Sequence, residues 1–210
     1  MLSYSLRQCQ NDTCRFRFPV ADGDVRGDVC PYCGTATTII SVEHTPTAIA
    51  HPAPRHTIEL LLDNIRSAYN VGAIFRTADG AGVRRLHLGG ITATPEHAKV
   101  HKTALGADGR IPWTHNRNAL DTAAALKDQG YILWALEETP QAESLYTADL
   151  TVPDGRPLLL ILGHEKTGVD PAILNLCHRI LALPMLGHKN SLNVTVACGI
   201  ALYHLQFTPK

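Results

Sequence analysis

Four cysteines near the start of the chain are spaced to meet on one ion. They read Cys9-x4-Cys14-x15-Cys30-x2-Cys33. Two short-spaced pairs separated by a hairpin-length insert can deliver four thiolates to one tetrahedral Zn²⁺, while their tight turns aim backbone N–H groups at sulfur. All eleven histidines lie beyond residue 40, so a four-cysteine site is the arrangement available locally. Cys30-Pro-Tyr-Cys33 also has the form of a redox dithiol, but such a motif should open a helix behind an apolar strand. Gly27-Asp28 before it and Gly34-Thr35 after it do not supply that setting. Structural zinc is favoured, a vestigial site without metal comes next, and redox chemistry last. Cys177 and Cys198, far away in apolar segments, read as core thiols.

Three later segments carry a second set of candidates. Residues 63–80 (DNIRSAYNVGAIFRTADG) leave an apolar strand, turn, and enter a helix at about Asn70, with Arg76 close to two turns further on. Residues 158–170 (LLLILGHEKTGVD) are a buried strand broken at Gly163, where the absence of a Cβ lets backbone groups approach a ligand. Residues 183–197 (LPMLGHKNSLNVTVA) are a strand stopped at Pro184, a glycine loop, and Ser191-Leu192-Asn193 leading into an apolar helix. A zinc-protease HExxH would need histidine at Gly168, GxxxxGK[ST] is absent, and Gly80-Ala-Gly82 does not complete GxGxxG. Hydrolase, nucleotidase and dinucleotide-enzyme readings are weakened accordingly.

The elements that must position these residues alternate as an α/β fold requires. The pattern predicts strands at Ile58–Leu62, Arg85–Leu88, Tyr131–Leu136, Leu158–Leu162 and Ile180–Leu183. It predicts helices at Asn70–Ala78, Pro95–Leu105, Asn118–Gln129 and Leu192–Leu205. Residues 1–40 form a separate cysteine-bearing unit that needs a metal staple at that size. The proline-bearing stretch 41–56 is a linker and 57–210 is the main domain. With 210 residues, 45% apolar and 18% charged, the chain has ordinary globular usage. No apolar stretch is long enough to span a bilayer and no signal segment opens the chain, so a cytoplasmic location without membrane association is the default expectation. Lys plus Arg equals Asp plus Glu at 19 each, so charge gives no pointer to a nucleic acid.

Taken together, the three segments resemble the SpoU (TrmH-like) RNA 2′-O-ribose methyltransferases of the SPOUT superfamily, over about residues 57–207. The cysteine unit resembles a zinc ribbon. The resemblance implies a parallel sheet flanked by helices, a C-terminal trefoil knot that no periodicity rule would reveal, and a homodimer. It also implies S-adenosylmethionine as cofactor and a ribose 2′-hydroxyl of tRNA or rRNA as methyl acceptor. Gly163, Leu183, Leu192, Met185, Ser191 and Leu162 would border the cofactor. Arg76 would be the catalytic residue, with Asn70, Glu165, Ser191 and Asn193 around it. A guanidinium stays protonated at useful pH, so the expected role of Arg76 is to position the ribose and favour its alkoxide.

His164 and Lys166-Thr167 depart from the usual pattern, and His188-Lys189-Asn190 makes the third loop basic. In the ribbon, Phe16 and Phe18 either fill a small core or join Arg7, Arg15 and Arg17 in contacting RNA. The competing functional reading is a non-catalytic RNA-binding or assembly protein that kept the fold. A base methyltransferase of the same superfamily is a third.

Overall fold

The computed structural model describes residues 4–40 and 53–208. The chain divides into two compact units, residues 1–51 and 52–210, each described here by itself. The linker expected at 41–56 lies, up to residue 52, outside the described residues.

The first unit is a three-stranded antiparallel sheet, β1 (Tyr4–Cys9), β2 (Arg17–Ala21) and β3 (Thr37–Ile40), in the order β2-β1-β3. Among its described residues the buried apolar ones are few: Cys9, Val20 and Cys30. So small a core cannot offset the ordering of about 40 residues without a cross-link.

The second unit is built on a seven-stranded sheet in which every neighbouring pair is parallel. Its strands are β4 (Ile58–Asp63), β5 (Arg85–Gly89), β6 (Trp113–Asn116), β7 (Ile132–Leu136), β8 (Glu143–Ser144), β9 (Leu158–Leu162) and β10 (Arg179–Ala182), ordered β6-β5-β4-β9-β7-β10-β8. The helices are α1 (Ala68–Gly80), α2 (Ala98–Ala104), α3 (Ala119–Asp128), α4 (Pro171–Leu174) and α5 (Val194–Phe207).

A parallel sheet covered on both faces needs continuous apolar strands. The two central ones comply: all residues of β4 and β9 are buried. Alternation then assigns the faces. Leu60, Leu62, Leu158, Leu160 and Leu162 pack with residues of α1, α2 and α5, whereas Leu61, Leu159 and Ile161 pack with residues of α3 and α4. Each such side chain contributes about 1.5–3 kcal/mol, so the middle of the sheet carries most of the fold. No helix among the described residues is long and apolar enough to cross a membrane.

Several ends differ from the sequence expectation. Ser67, not Asn70, caps α1, its hydroxyl accepting from Asn70 N at 3.4 Å. Pro95 precedes α2, whose cap is His97, and β10 ends at Ala182 with Leu183 beyond it. The edge strands β6 and β8 and the single turn α4 were not expected. Trp-Thr-His-Asn and Glu-Ser lack the apolar run that marks a buried strand. Within α1, Val71, Ile74, Phe75 and Ala78 are buried at helical spacing, and Gly72 lies against α2.

A Cβ on Gly72 would come within 2.3 Å of the Val100 carbonyl oxygen. That contact is backbone and cannot rotate away. Gly72→Ala should lower unfolding stability by about 1–3 kcal/mol through overpacking, measured by denaturant titration. An unchanged midpoint would mean that α1 and α2 separate freely.

Candidate functional site

The loop leaving β9 folds back on itself at once. His164 N donates to Gly168 O (3.0 Å) and Gly168 N to His164 O (2.9 Å), which brings the chain so close that a Cβ on Gly163 would lie 2.2 Å from Gly168 C and Val169 N. The break after Leu162 therefore requires glycine. Carboxylates from other elements hold the loop: Asp63 accepts from Asp170 N and Glu137 from Val169 N, each at 2.9 Å. Gly168, in the left-handed region at φ +74, sits under the Glu137 carboxylate.

Glu165 works in the opposite sense, reaching from the loop to the start of α1. Its carboxylate accepts from Arg66 N (2.8 Å), Ser67 N (3.0 Å) and Asn70 Nδ2 (2.8 Å). Free N–H groups at a helix start favour an anion. Partial burial tends to raise the Glu165 carboxyl, but the backbone N–H groups of Arg66 and Ser67 and the Asn70 amide outweigh it and hold the group below its ordinary range. Asn70 in turn accepts at Oδ1 from Asn193 Nδ2 at 3.5 Å, and Asn193 caps α5 by accepting from Thr195 N. One chain of hydrogen bonds, Asn193 to Asn70 to Glu165, thus joins all three sequence segments.

Beside that chain lies a cavity of about 550 Å³ at the carboxyl ends of β7, β9 and β10, where ligands of open α/β sheets collect. Leu162, Gly163, Leu183, Met185, Ser191 and Leu192 all border it, as do Asn70, Glu165 and Asn193. Arg76 does not. It is exposed on α1 and lines a different hollow with Ala73, Thr77, Lys102, Thr103, Leu105 and Tyr203. The expected grouping of Arg76 with Asn70, Glu165, Ser191 and Asn193 is therefore absent within one chain. Residues six apart on an α-helix are rotated by about 240°, so Asn70 and Arg76 face different ways.

In the first unit, the ligand atoms of Cys9, Cys14, Cys30 and Cys33 all lie within 4.8 Å of one another. Cys9 and Cys33 sulfurs are 3.4 Å apart and those of Cys14 and Cys30 are 3.9 Å apart, and none forms a disulfide. Asn11 N donates to Cys9 Sγ at 3.4 Å.

Residues 57–203 match the family described as SpoU rRNA methylase. The chain belongs to the SpoU rRNA methylase family. A 23S rRNA (guanosine-2′-O-)-methyltransferase of Vibrio parahaemolyticus is 34% identical over 145 residues, 69% of this chain and 56% of that protein. The tRNA (guanosine(18)-2′-O)-methyltransferase of Escherichia coli K12 is 32% identical over 152 residues, 71% of this chain and 62% of that one. Among solved structures, an AdoMet-bound rRNA methyltransferase from Sinorhizobium meliloti aligns with a TM-score of 0.66 at 26% identity, covering 74% of this chain and 57% of that chain. The chain spans little more than half the length of these curated relatives.

His164 is one of the residues, with Lys166-Thr167, that the sequence reading sets apart from the SpoU-type pattern, in which small or amide residues are expected at position 164. Its ring has a structural task. Nδ1 accepts from Lys166 N (3.1 Å) and Thr167 N (3.3 Å), the bonds an asparagine oxygen makes in an Asx-turn. The sequence reading also missed Glu137 and Arg66, both on the cavity wall. The signal for Glu137 was present: an acidic doublet, Glu137-Glu138, directly follows the apolar strand β7.

Glu165→Ala should destabilise the SpoU-type unit by about 1–2 kcal/mol near neutral pH, charged hydrogen bonds being discounted here for partial exposure. Because the folded-state carboxyl is depressed, its contribution is full above the unfolded carboxylate range and is lost as pH falls through the depressed value. The gap between wild type and variant should close on acidification, as read from denaturant midpoints at a series of pH values. A gap independent of pH would remove the charge from the explanation.

Proposed function

We propose that the protein transfers a methyl group from S-adenosylmethionine to a ribose 2′-hydroxyl of tRNA or rRNA, in the cytoplasm. The observation that carries this reading is the hydrogen-bond chain from Asn193 through Asn70 to Glu165 at the rim of the 550 Å³ cavity, together with relatives whose names specify guanosine 2′-O-methylation. The cavity fits the cofactor in kind: Leu162, Leu183 and Leu192 offer apolar walls for an adenine, and backbone groups at the glycine-broken end of β9 can direct it. When bound, the cofactor supplies an electrophilic methyl group on a sulfonium. Asn70, Ser191 and Asn193 present amide and hydroxyl groups beside it that can orient a ribose, while Glu165 keeps Asn70 in place.

In this reading Arg76 serves the cavity of a second copy. Support comes from the apolar surface near Arg76: Leu105, Tyr203 and Phe207 are 68%, 49% and 48% exposed, and exposed apolar side chains grouped in this way mark association. A homodimer with two-fold symmetry would place each Arg76 against the partner's cavity, where its guanidinium positions the ribose and favours the alkoxide. The C-terminal part would form the trefoil knot of the family. Its support is that β9 enters between β4 and β7 and β10 between β7 and β8, so late strands lie inside earlier ones.

Arg76→Ala should bind S-adenosylmethionine normally in calorimetry yet lose at least about 100-fold in RNA methylation rate, the loss typical of removing one preorganised charged donor. Mixing it with inactive Asn193→Ala should restore about a quarter of wild-type activity through mixed dimers. Near-wild-type activity of Arg76→Ala alone would overturn its assignment, and failure of the mixture to recover would leave Arg76 serving its own chain. Mapping ribose methylation in RNA from cells lacking the protein tests the activity itself. An unchanged map together with no S-adenosylmethionine binding would favour an RNA-binding or assembly role.

The four cysteines are proposed to hold one structural Zn²⁺. A tetrahedral site with Zn–S bonds of ~2.3 Å separates sulfurs by ~3.8 Å, close to the Cys9–Cys33 and Cys14–Cys30 spacings. Purified protein should contain one zinc per chain by elemental analysis. Cys14→Ser should lose it and make residues 1–40 protease-sensitive while the thermal transition of the larger unit persists. Metal-free protein with a protease-resistant first unit would sink the zinc assignment.

A further inference from the structure

The first unit carries an aromatic surface that its core does not use. Phe16 and Tyr32 are 41% and 80% exposed, and their rings lie nearly parallel, 16° between planes with centroids 6.1 Å apart. Phe18 extends the group, 5.7 Å from Phe16. Phe16 is therefore not a core filler. The backbone holds both exposed rings beside the cysteines: Cys9 N donates to Phe16 O at 2.8 Å, and Gly34 N closes the Cys30–Cys33 turn around Tyr32 by donating to Cys30 O at 3.0 Å.

Charge around the rings is unevenly committed. Arg7 is paired with Asp28 and Arg26 with Asp24, each at 2.6 Å. Arg15 and Arg17, on either side of Phe16, are exposed and have no ion-pair partner among the described residues. Exposed aromatic faces with uncommitted arginines next to them in the sequence suit one ligand chemistry: an unpaired nucleotide strand, with bases on the rings and phosphates taken by the arginines.

We propose that Phe16, Tyr32 and Phe18, with Arg15 and Arg17, form a platform that grips a single-stranded segment of RNA through base stacking and phosphate contact. The proposal deepens the assignment of RNA as substrate and rests on it. It gives the cysteine unit a substrate-holding task separate from the methyl-transfer cavity. Duplex RNA, whose bases are already stacked, offers the rings nothing comparable.

The test uses the full chain and fluorescein-labelled oligouridine, with a duplex of equal length as control, read by anisotropy. Phe16→Leu/Tyr32→Leu keeps apolar bulk and removes the π faces. It should bind the single strand about ten-fold more weakly, with the duplex barely affected. Arg15→Gln/Arg17→Gln should lower the slope of log affinity against log salt by about 1.4. Zinc content and S-adenosylmethionine affinity, measured in parallel, should stay at wild-type values in both variants. Unchanged single-strand affinity in a zinc-replete leucine variant, or equal losses for single strand and duplex, would overturn the platform. Absence of methylation by wild-type protein would instead count against the proposed activity, and the oligouridine result would stand independently of it.

Discussion

Three carboxylates fix the loop that follows β9, and the candidate site is arranged around that loop. Asp63 and Glu137 secure its far end through Asp170 N and Val169 N, while Glu165 ties it to the start of α1. The loop can be held this tightly because Gly163 lets the chain pass within van der Waals contact of Gly168. A side chain there would move the 163–170 turn away from β4 and β7, and with it the Glu165 contact to Asn70. Backbone N–H groups are the donors in most of these bonds, so the identity of the loop residues that donate matters less than the carboxylates that receive.

What could be read in advance follows this division. The apolar runs of β4 and β9 were legible because a doubly covered parallel strand leaves no room for polar residues. The edge strand Trp113–Asn116 was not, because one row of partners and partial exposure tolerate Thr, His and Asn. Ser67 and Asn70 are both good capping residues, and only the position of Glu165 across the fold decides that Asn70 turns toward the cavity. Among the cavity-lining residues, Leu162, Gly163 and Leu183 stand where strands stop, but their grouping with Met185, Ser191 and Leu192 came from the family resemblance, and Arg66 and Glu137 went unread. The separation of Arg76 from them could have been anticipated from helical rotation, although its second hollow could not, since that depends on how α2 and α5 pack on α1.

The two units solve the stability problem differently. The larger one buries leucine and isoleucine on both sides of a sheet, with a buried polar cluster as an exception: His87 meets Glu59 at 2.8 Å, and Tyr131 donates to Glu59 at 3.1 Å. Burial tends to raise the Glu59 carboxyl, yet His87 and Tyr131 bring it below the ordinary range. Among its described residues the smaller unit buries little apolar surface, which leaves Phe16 and Tyr32 on the outside.

The position of β9 has a consequence for synthesis. It lies between β4 and β7, and the other neighbour of β7 is the still later β10, so a nascent chain that has emerged only through residue 157 holds one three-stranded sheet, β6-β5-β4, with the β4 edge open, and a β7 whose two edges both lack a partner. Those edges are apolar and long enough to pair wrongly. Residues 158–162 must arrive and insert between strands already present, a non-local step that makes such topologies slow and prone to aggregation. The newborn unit therefore keeps apolar strand edges open until β9 has emerged, and that exposure lasts until five leucine- and isoleucine-rich residues have found their place beside β4 and β7.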